Sequence, residues 1–186
     1  MIIKLKEALE NEKEIIKKIR EGSIFIYPTD TIYGIGCDAT NDASVSKIRK
    51  LKKRDDKPFS FIVPDKKWIL KNCKVSKKFK SYIEKLPGPF TFIFELKKKA
   101  VSEQVNKHSS TIGVRIPDHE FIKTIQKSKK PFVTTSVNIT GQEPITEISN
   151  LPPKFKKLII IDDGKLNKKP SLLIDLTGNI AKIISR

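Results

Sequence analysis

What most constrains this chain is a rhythm. Short apolar, β-rich runs, several of them closed by proline, alternate from end to end with segments whose apolar residues recur at helical spacing. Leu5 to Arg20 reads as one helix, with Leu5, Ala8, Leu9, Ile15, Ile16 and Ile19 on a broad face and Gly22 as its stop. The run 23–27 reads as a strand ended by Pro28, and Asp42 as the cap of a helix running to about Leu51. The run 59–63 is a strand closed by Pro64, while Trp68, Phe79, Tyr82, Ile83 and Leu86 fit two helices. Strands are expected at 90–96, 111–116 and 131–136, with a helix over 119–127. Three further short strands fall at 158–162, 171–175 and 180–184. Interleaving of this kind predicts the α/β class, a twisted mixed sheet with flanking helices. The 186 residues fit a single domain over 1–186.

Composition narrows the partners. The formal net charge is +17, which favours polyanions: tRNA, other RNA such as double-stranded RNA, ATP or a membrane surface. The same charge is equally the mark of a lysine-biased, solvated surface, because the lysines are spread along the whole chain. That bias makes arginine informative. Only Arg20, Arg49, Arg54, Arg115 and Arg186 occur among 38 basic residues. A planar fork kept where lysine is the default suggests bidentate contact with phosphate or carboxylate. No apolar run approaches the ~20 residues that span a bilayer, and the start has no apolar signal segment. Cys37 and Cys73 form neither a metal-ligand pattern nor a disulfide framework, so they read as packing residues in a reducing cytoplasm, with no protein-held metal expected. His108 and His119 match no ligand or triad spacing and read as surface or capping residues.

Three polar stretches follow expected strands or helices, where ligands of open α/β sheets gather. The first is Pro28-Thr29-Asp30-Thr31-Ile32-Tyr33-Gly34-Ile35-Gly36. The second is Lys52-Lys53-Arg54-Asp55-Asp56-Lys57-Pro58. If extended, it points Lys52 and Arg54 the same way, an ammonium beside a fork that suits a polyphosphate. Asp55 and Asp56 could hold magnesium through water. The third is Thr134-Thr135-Ser136-Val137-Asn138, rich in small uncharged donors and acceptors, with Gly141 and Pro144 shaping the next loop. Each also reads as an ordinary turn, charge run or β-rich strand. Arg115 lies in the mostly apolar run 111–117, so it must face solvent, an anionic partner or a substrate carboxylate.

Taken in order, these stretches resemble the YrdC/YciO family, to which TsaC-like threonylcarbamoyl-AMP synthases belong. The resemblance rests on 28–34, Lys52-x-Arg54 with Lys57-Pro58, and Pro87-Gly88-Pro89-Phe90-Thr91. It continues through Gly113-Val114-Arg115-Ile116-Pro117, Ser136-Val137-Asn138-x-x-Gly141 and Ser171-Leu172-Leu173-Ile174-Asp175 to the final arginine. It covers about residues 20–186. It implies one YrdC-like domain with a concave basic groove. It also implies a nucleotidyltransferase that makes threonylcarbamoyl-AMP from ATP, L-threonine and bicarbonate, with Mg2+ accompanying ATP and a downstream threonylcarbamoyl transferase completing a tRNA modification. Lys52 and Arg54 would be catalytic. ATP would be held by Lys52, Arg54, Lys57, Thr111, Ser136, Asn138, Pro144 and Arg186. Threonine would be held by Thr31, Arg115, Thr134 and Ser171.

Two departures point toward the YciO branch. Ile62 stands where family members often carry a histidine, and the loop after Arg54 is one residue shorter and lacks its proline. Two alternatives follow: an RNA-binding or ribosome-assembly module, and a sister carbamoyl-adenylating enzyme with another substrate.

Overall fold

The computed structural model describes residues 1–54 and 57–185; the expectations for Asp55, Asp56 and Arg186 lie outside them. Among the described residues, eleven strands form one mixed sheet. They are β1 (Ile2–Lys4), β2 (Phe25–Tyr27), β3 (Gly34–Gly36), β4 (Ser60–Ile62), β5 (Cys73–Lys74), β6 (Phe90–Leu96), β7 (Thr111–Arg115), β8 (Phe132–Ser136), β9 (Ile159–Asp162), β10 (Leu172–Asp175) and β11 (Lys182–Ile184). Six α-helices flank it: α1 (Leu5–Glu10), α2 (Glu12–Arg20), α3 (Asp42–Lys52), α4 (Lys66–Asn72), α5 (Lys80–Glu84) and α6 (Glu120–Lys127).

The spatial order is β1-β9-β2-β3-β8-β4-β7-β6-β10-β11, with β5 paired to β6. Pairs β1/β9, β2/β9, β4/β7 and β6/β10 are parallel, and the other pairs are antiparallel. The α/β expectation therefore holds, including the mixed sheet. β2 and β3 are buried along their whole length, so β2 reads as an apolar run rather than as an alternating one. Phe25, Tyr27, Phe61, Phe92, Phe94, Phe121 and Phe132 are almost fully buried in one continuous core.

Four expectations need correction. The helix at 5–20 is broken at Asn11, whose side-chain amide donates to the carbonyl of Glu7 at 2.9 Å and whose backbone leaves the helical region. An asparagine that offers the backbone another partner competes with helix continuation. The cap of α3 is Asn41, which accepts from the Ser44 amide at 3.0 Å; Asp42 is the first helical residue. The stretch 28–36 is not all turn, because its last three residues form β3. The first residues also add a strand, β1, parallel to β9 at one edge of the sheet.

Two close approaches fix the sheet around the groove. A Cβ on Gly36 would lie 1.8 Å from the Val133 carbonyl oxygen, so only glycine lets β3 sit this close to β8. A Cβ on Gly113 would lie 2.6 Å from Ser60 Oγ, so β7 can lie beside β4 with a hydroxyl between them.

Candidate active site

A cavity of about 450 Å³ opens over the middle of the sheet. Its floor follows from strand alternation, since residues two apart share a face. Register places Thr134 beside Ser60, Ser60 beside Gly113 and Gly113 beside Ile93, a row crossing β8, β4, β7 and β6. Thr91 and Leu173 continue it onto β10. All of these line the cavity, with Thr111 and Arg115 at the two ends of β7.

One wall is the loop between β2 and β3. Thr29 Oγ1 donates to the Ile32 carbonyl at 2.7 Å and accepts from the Thr31 amide at 3.1 Å, folding the loop on itself. The two threonine hydroxyls lie 3.0 Å apart beside the cavity. Tyr33 is buried, donates to the Gly164 carbonyl at 2.7 Å and accepts from the Asp163 amide at 2.9 Å. That ties the wall to the end of β9.

Arg115 is the buried charge of the site. Its Nη2 meets Asp30 Oδ1 at 2.7 Å, both side chains being under a tenth exposed. Asp30 in turn accepts from the Asp118 amide at 3.1 Å. Of the alternatives open for Arg115, the anionic partner is thus Asp30, a residue missing from the expected ligand set. Burial works against the guanidinium charge and Asp30 supports it. Its Nε is buried with no hydrogen-bond partner. A buried guanidinium donor without a protein acceptor is rare, and a ligand oxygen or an ordered water would satisfy it. Across the cavity, Thr91 Oγ1 and Ser171 Oγ lie 2.8 Å apart.

The opposite wall is cationic. Arg54, Lys57, Pro58 and Phe59 line it beside Ser136 and Thr135. The expected extended 52–54 segment is overturned. Lys52 ends α3, and Lys53 is left-handed, with φ 49° and ψ 51°, so the chain turns sharply between Lys52 and Arg54. Lys52 is 1% exposed and does not line the cavity. Its ammonium donates to the Ser136 carbonyl at 2.5 Å, the Asn138 carbonyl at 3.0 Å and Asn138 Oδ1 at 2.6 Å. Burial, with Arg54 and Lys154 nearby, pushes its pKa down to about 7. Its own carbonyl accepts from both the amide (3.0 Å) and the hydroxyl (3.1 Å) of Thr140. Lys52 therefore welds the end of α3 to the loop after β8.

The expected site residues sort clearly. Arg54, Lys57, Thr111, Ser136, Thr31, Arg115, Thr134 and Ser171 all line the one cavity. Lys52, Asn138 and Pro144 do not; Asn138 is spent on Lys52, on the Ser136 hydroxyl at 2.9 Å and on the Gln142 carbonyl at 2.5 Å. Thr29 and Tyr33, which stood in the first polar stretch but not among the expected ligands, also line it, and sequence reasoning missed Phe59, Ser60 and Thr91 as wall residues. Hydroxyls close to the quoted motifs were the one signal for Ser60 and Thr91, and Phe59 had none. Ile62, which replaces the family histidine, is fully buried between Phe132 and Arg115 in the register and does not line the cavity. His119 caps α6 by accepting from the Phe121 amide at 3.2 Å, and its other ring nitrogen lies 3.0 Å from Asp163. Cys37 and Cys73 are buried thiols. Among the described residues, no group of three or more His, Cys, Asp or Glu could hold a metal, and no helix is long and apolar enough to cross a membrane.

With this geometry in view, similarity to known proteins is decisive. The Sua5/YciO/YrdC family model, described as telomere recombination, matches residues 17–186. The chain belongs to this family. A Methanocaldococcus jannaschii protein provisionally named threonylcarbamoyl-AMP synthase is 39% identical over 194 residues, covering 99% of this chain and 90% of the relative. A Pseudoalteromonas atlantica threonylcarbamoyl-AMP synthase is 32% identical over 162 residues, 81% of this chain and 84% of its own length. Among solved structures, P. abyssi Sua5 complexed with L-threonine superposes with a TM-score of 0.88 at 26% identity. That match covers 98% of this chain and 56% of the Sua5 chain, so the family member here spans little more than half of that protein.

Proposed function

We propose that this family member is a threonylcarbamoyl-AMP synthase, a nucleotidyltransferase that joins L-threonine, bicarbonate and ATP. The observation that carries the reading is the two-sided cavity. A cationic, hydroxyl-bearing wall of Arg54, Lys57 and Ser136 faces a buried Arg115 whose Nε lacks an acceptor. One side suits a triphosphate and the other an amino-acid carboxylate. Two relatives bear the name of this activity, and the related Sua5 structure contains L-threonine.

The chemistry runs in two steps. Bicarbonate sheds hydroxide to give CO2; the threonine nitrogen attacks its carbon, a C–N bond forms as one C=O π bond opens, and the proton lost by the amine joins the hydroxide as water, leaving a carbamate. A carbamate oxygen then attacks the α-phosphorus of ATP, and the bond to the β-phosphate oxygen breaks with release of pyrophosphate. Carbamates decompose in water, so the enclosing walls of Thr29, Thr31 and Tyr33 serve to exclude it. Arg115 Nε takes a threonine carboxylate oxygen, while Thr134, Thr31 and Ser171 surround the rest of the amino acid. Arg54, Lys57, Thr111 and Ser136 hold the phosphates and offset charge on the departing pyrophosphate.

Lys52 acts at one remove, holding the Ser136–Asn138 backbone in place; Asn138 supports it there and Pro144 shapes the loop behind. Among the described residues, no side chain lining the cavity is an evident general base, and in this reading rate enhancement rests on positioning and electrostatics. Mg2+ would enter as the counter-ion of ATP. A downstream transferase would pass the threonylcarbamoyl group to tRNA, and the basic surface could meet tRNA or duplex RNA directly.

Pyrophosphate release measured against a panel of amino acids with ATP and bicarbonate tests the reading. Release that depends on threonine, and at least tenfold less with serine or valine, is expected. Equal release with every amino acid, or with none, would remove threonine as the substrate.

A further inference from the structure

Arg49 is a buried arginine that lines no part of the cavity, yet it holds the loop that does. It sits in the last turn of α3 and is 6% exposed. Its Nε donates to the Gln104 carbonyl at 2.6 Å and its Nη2 to the Val105 carbonyl at 3.3 Å. Its Nη1 donates to the carbonyls of Arg54 and Lys57, each at 3.2 Å. One guanidinium thus grips the loop on both sides of its middle and anchors it to residues 104–105. The Val105 carbonyl also takes the Phe59 amide at 2.9 Å, so the same anchor fixes the start of β4.

Phe59 completes the device. The Arg49 guanidinium carbon lies 4.6 Å from the Phe59 ring centroid and that of Arg54 lies 5.1 Å from it. Arg54 also donates to the Lys57 carbonyl at 3.0 Å and the Pro58 carbonyl at 2.6 Å. Both arginines therefore use one ring and one short stretch of backbone. Arg54 and Phe59 line the cavity, and Arg49 stands behind them.

We propose that Arg49 is the positioning residue for Arg54: its clamp on the Arg54 and Lys57 carbonyls and on Phe59 sets where the Arg54 guanidinium meets the ATP phosphates. The proposal rests on the assignment of Arg54 to ATP. Lysine cannot replace Arg49, because a point charge cannot reach the Gln104 and Val105 carbonyls and those of Arg54 and Lys57 together.

A double-mutant cycle on the full chain tests it, with ATP affinity and threonine affinity read by calorimetry and thermal melting followed in parallel. Arg49→Lys should weaken ATP binding about tenfold and leave threonine affinity within twofold. In an Arg54→Ala background the same change should alter ATP affinity less than twofold, since there is no longer a guanidinium to place. Should Arg49→Lys fail to fold, Arg49→Gln carries the same comparison. A merely structural role predicts a different outcome: equal losses in both backgrounds, or parallel losses for ATP and threonine, would overturn the proposal. The functional reading fails separately. Wild-type protein that binds ATP but makes no threonylcarbamoyl-AMP sinks that reading while the cycle still decides Arg49. Wild-type protein that binds no ATP sinks both.

Discussion

Single residues carry the chemistry here through partners far away in sequence. Arg115 shows it best. Its place in an apolar run announced that the charge needed a reason, but the reason, Asp30, stands 85 residues earlier and is brought to it by tertiary structure. The pair is buried, so removing one member leaves a charge without compensation, which costs roughly 3–5 kcal/mol. Asp30→Asn should therefore lower unfolding free energy by about that amount in urea titrations; a loss under about 1 kcal/mol would show that the pair is not a buried ion pair. Ser136 and Thr134 were legible as wall residues because strand ends and alternation dictate where such side chains go, whereas Arg54 was legible as an arginine kept in a lysine-rich chain. Lys52 was legible as important but not in its direction. The left-handed Lys53 reverses the chain there, and no glycine marks that turn in the sequence.

At the scale of elements, periodicity gave most helices and strands, and its failures share a cause. Asn11 splits a helix through a local side-chain bond. β1 and β3 are three residues each, too short for a pattern to show, and exist because a neighbouring strand pairs with them. The approach of β3 to β8 depends on Gly36, where a Cβ would strike backbone rather than a movable side chain. Gly36→Ala should cost about 1–3 kcal/mol, as overpacking does. It should also reduce turnover, because β8 carries Ser136 and Thr134. Chemical denaturation together with pyrophosphate release checks both, and unchanged stability would mean that the sheet adjusts more freely than its spacing suggests.

For the whole molecule, the fold class was legible because alternating α and β elements leave few layered solutions. The cavity was not, since it arises from register across β8, β4, β7, β6 and β10, which no single stretch encodes. The ordered motifs nevertheless placed most of its wall, because all but one of them lie at or beside a strand of that one sheet, and the Lys52-x-Arg54 motif follows α3. Net charge of +17 says that the surface favours polyanions without choosing among them. The choice comes from the interior, where a phosphate-suited wall and a carboxylate-suited arginine share one enclosed space. The most direct test of that arrangement is mass spectrometry of a reaction holding the protein, ATP, Mg2+, L-threonine and 13C-labelled bicarbonate. A mixed anhydride of AMP with threonine carbamate, one mass unit heavier for the labelled carbon and absent with Arg54→Ala, is the predicted product. Pyrophosphate released without any labelled anhydride, or an anhydride that forms equally well without Arg54, would contradict the account.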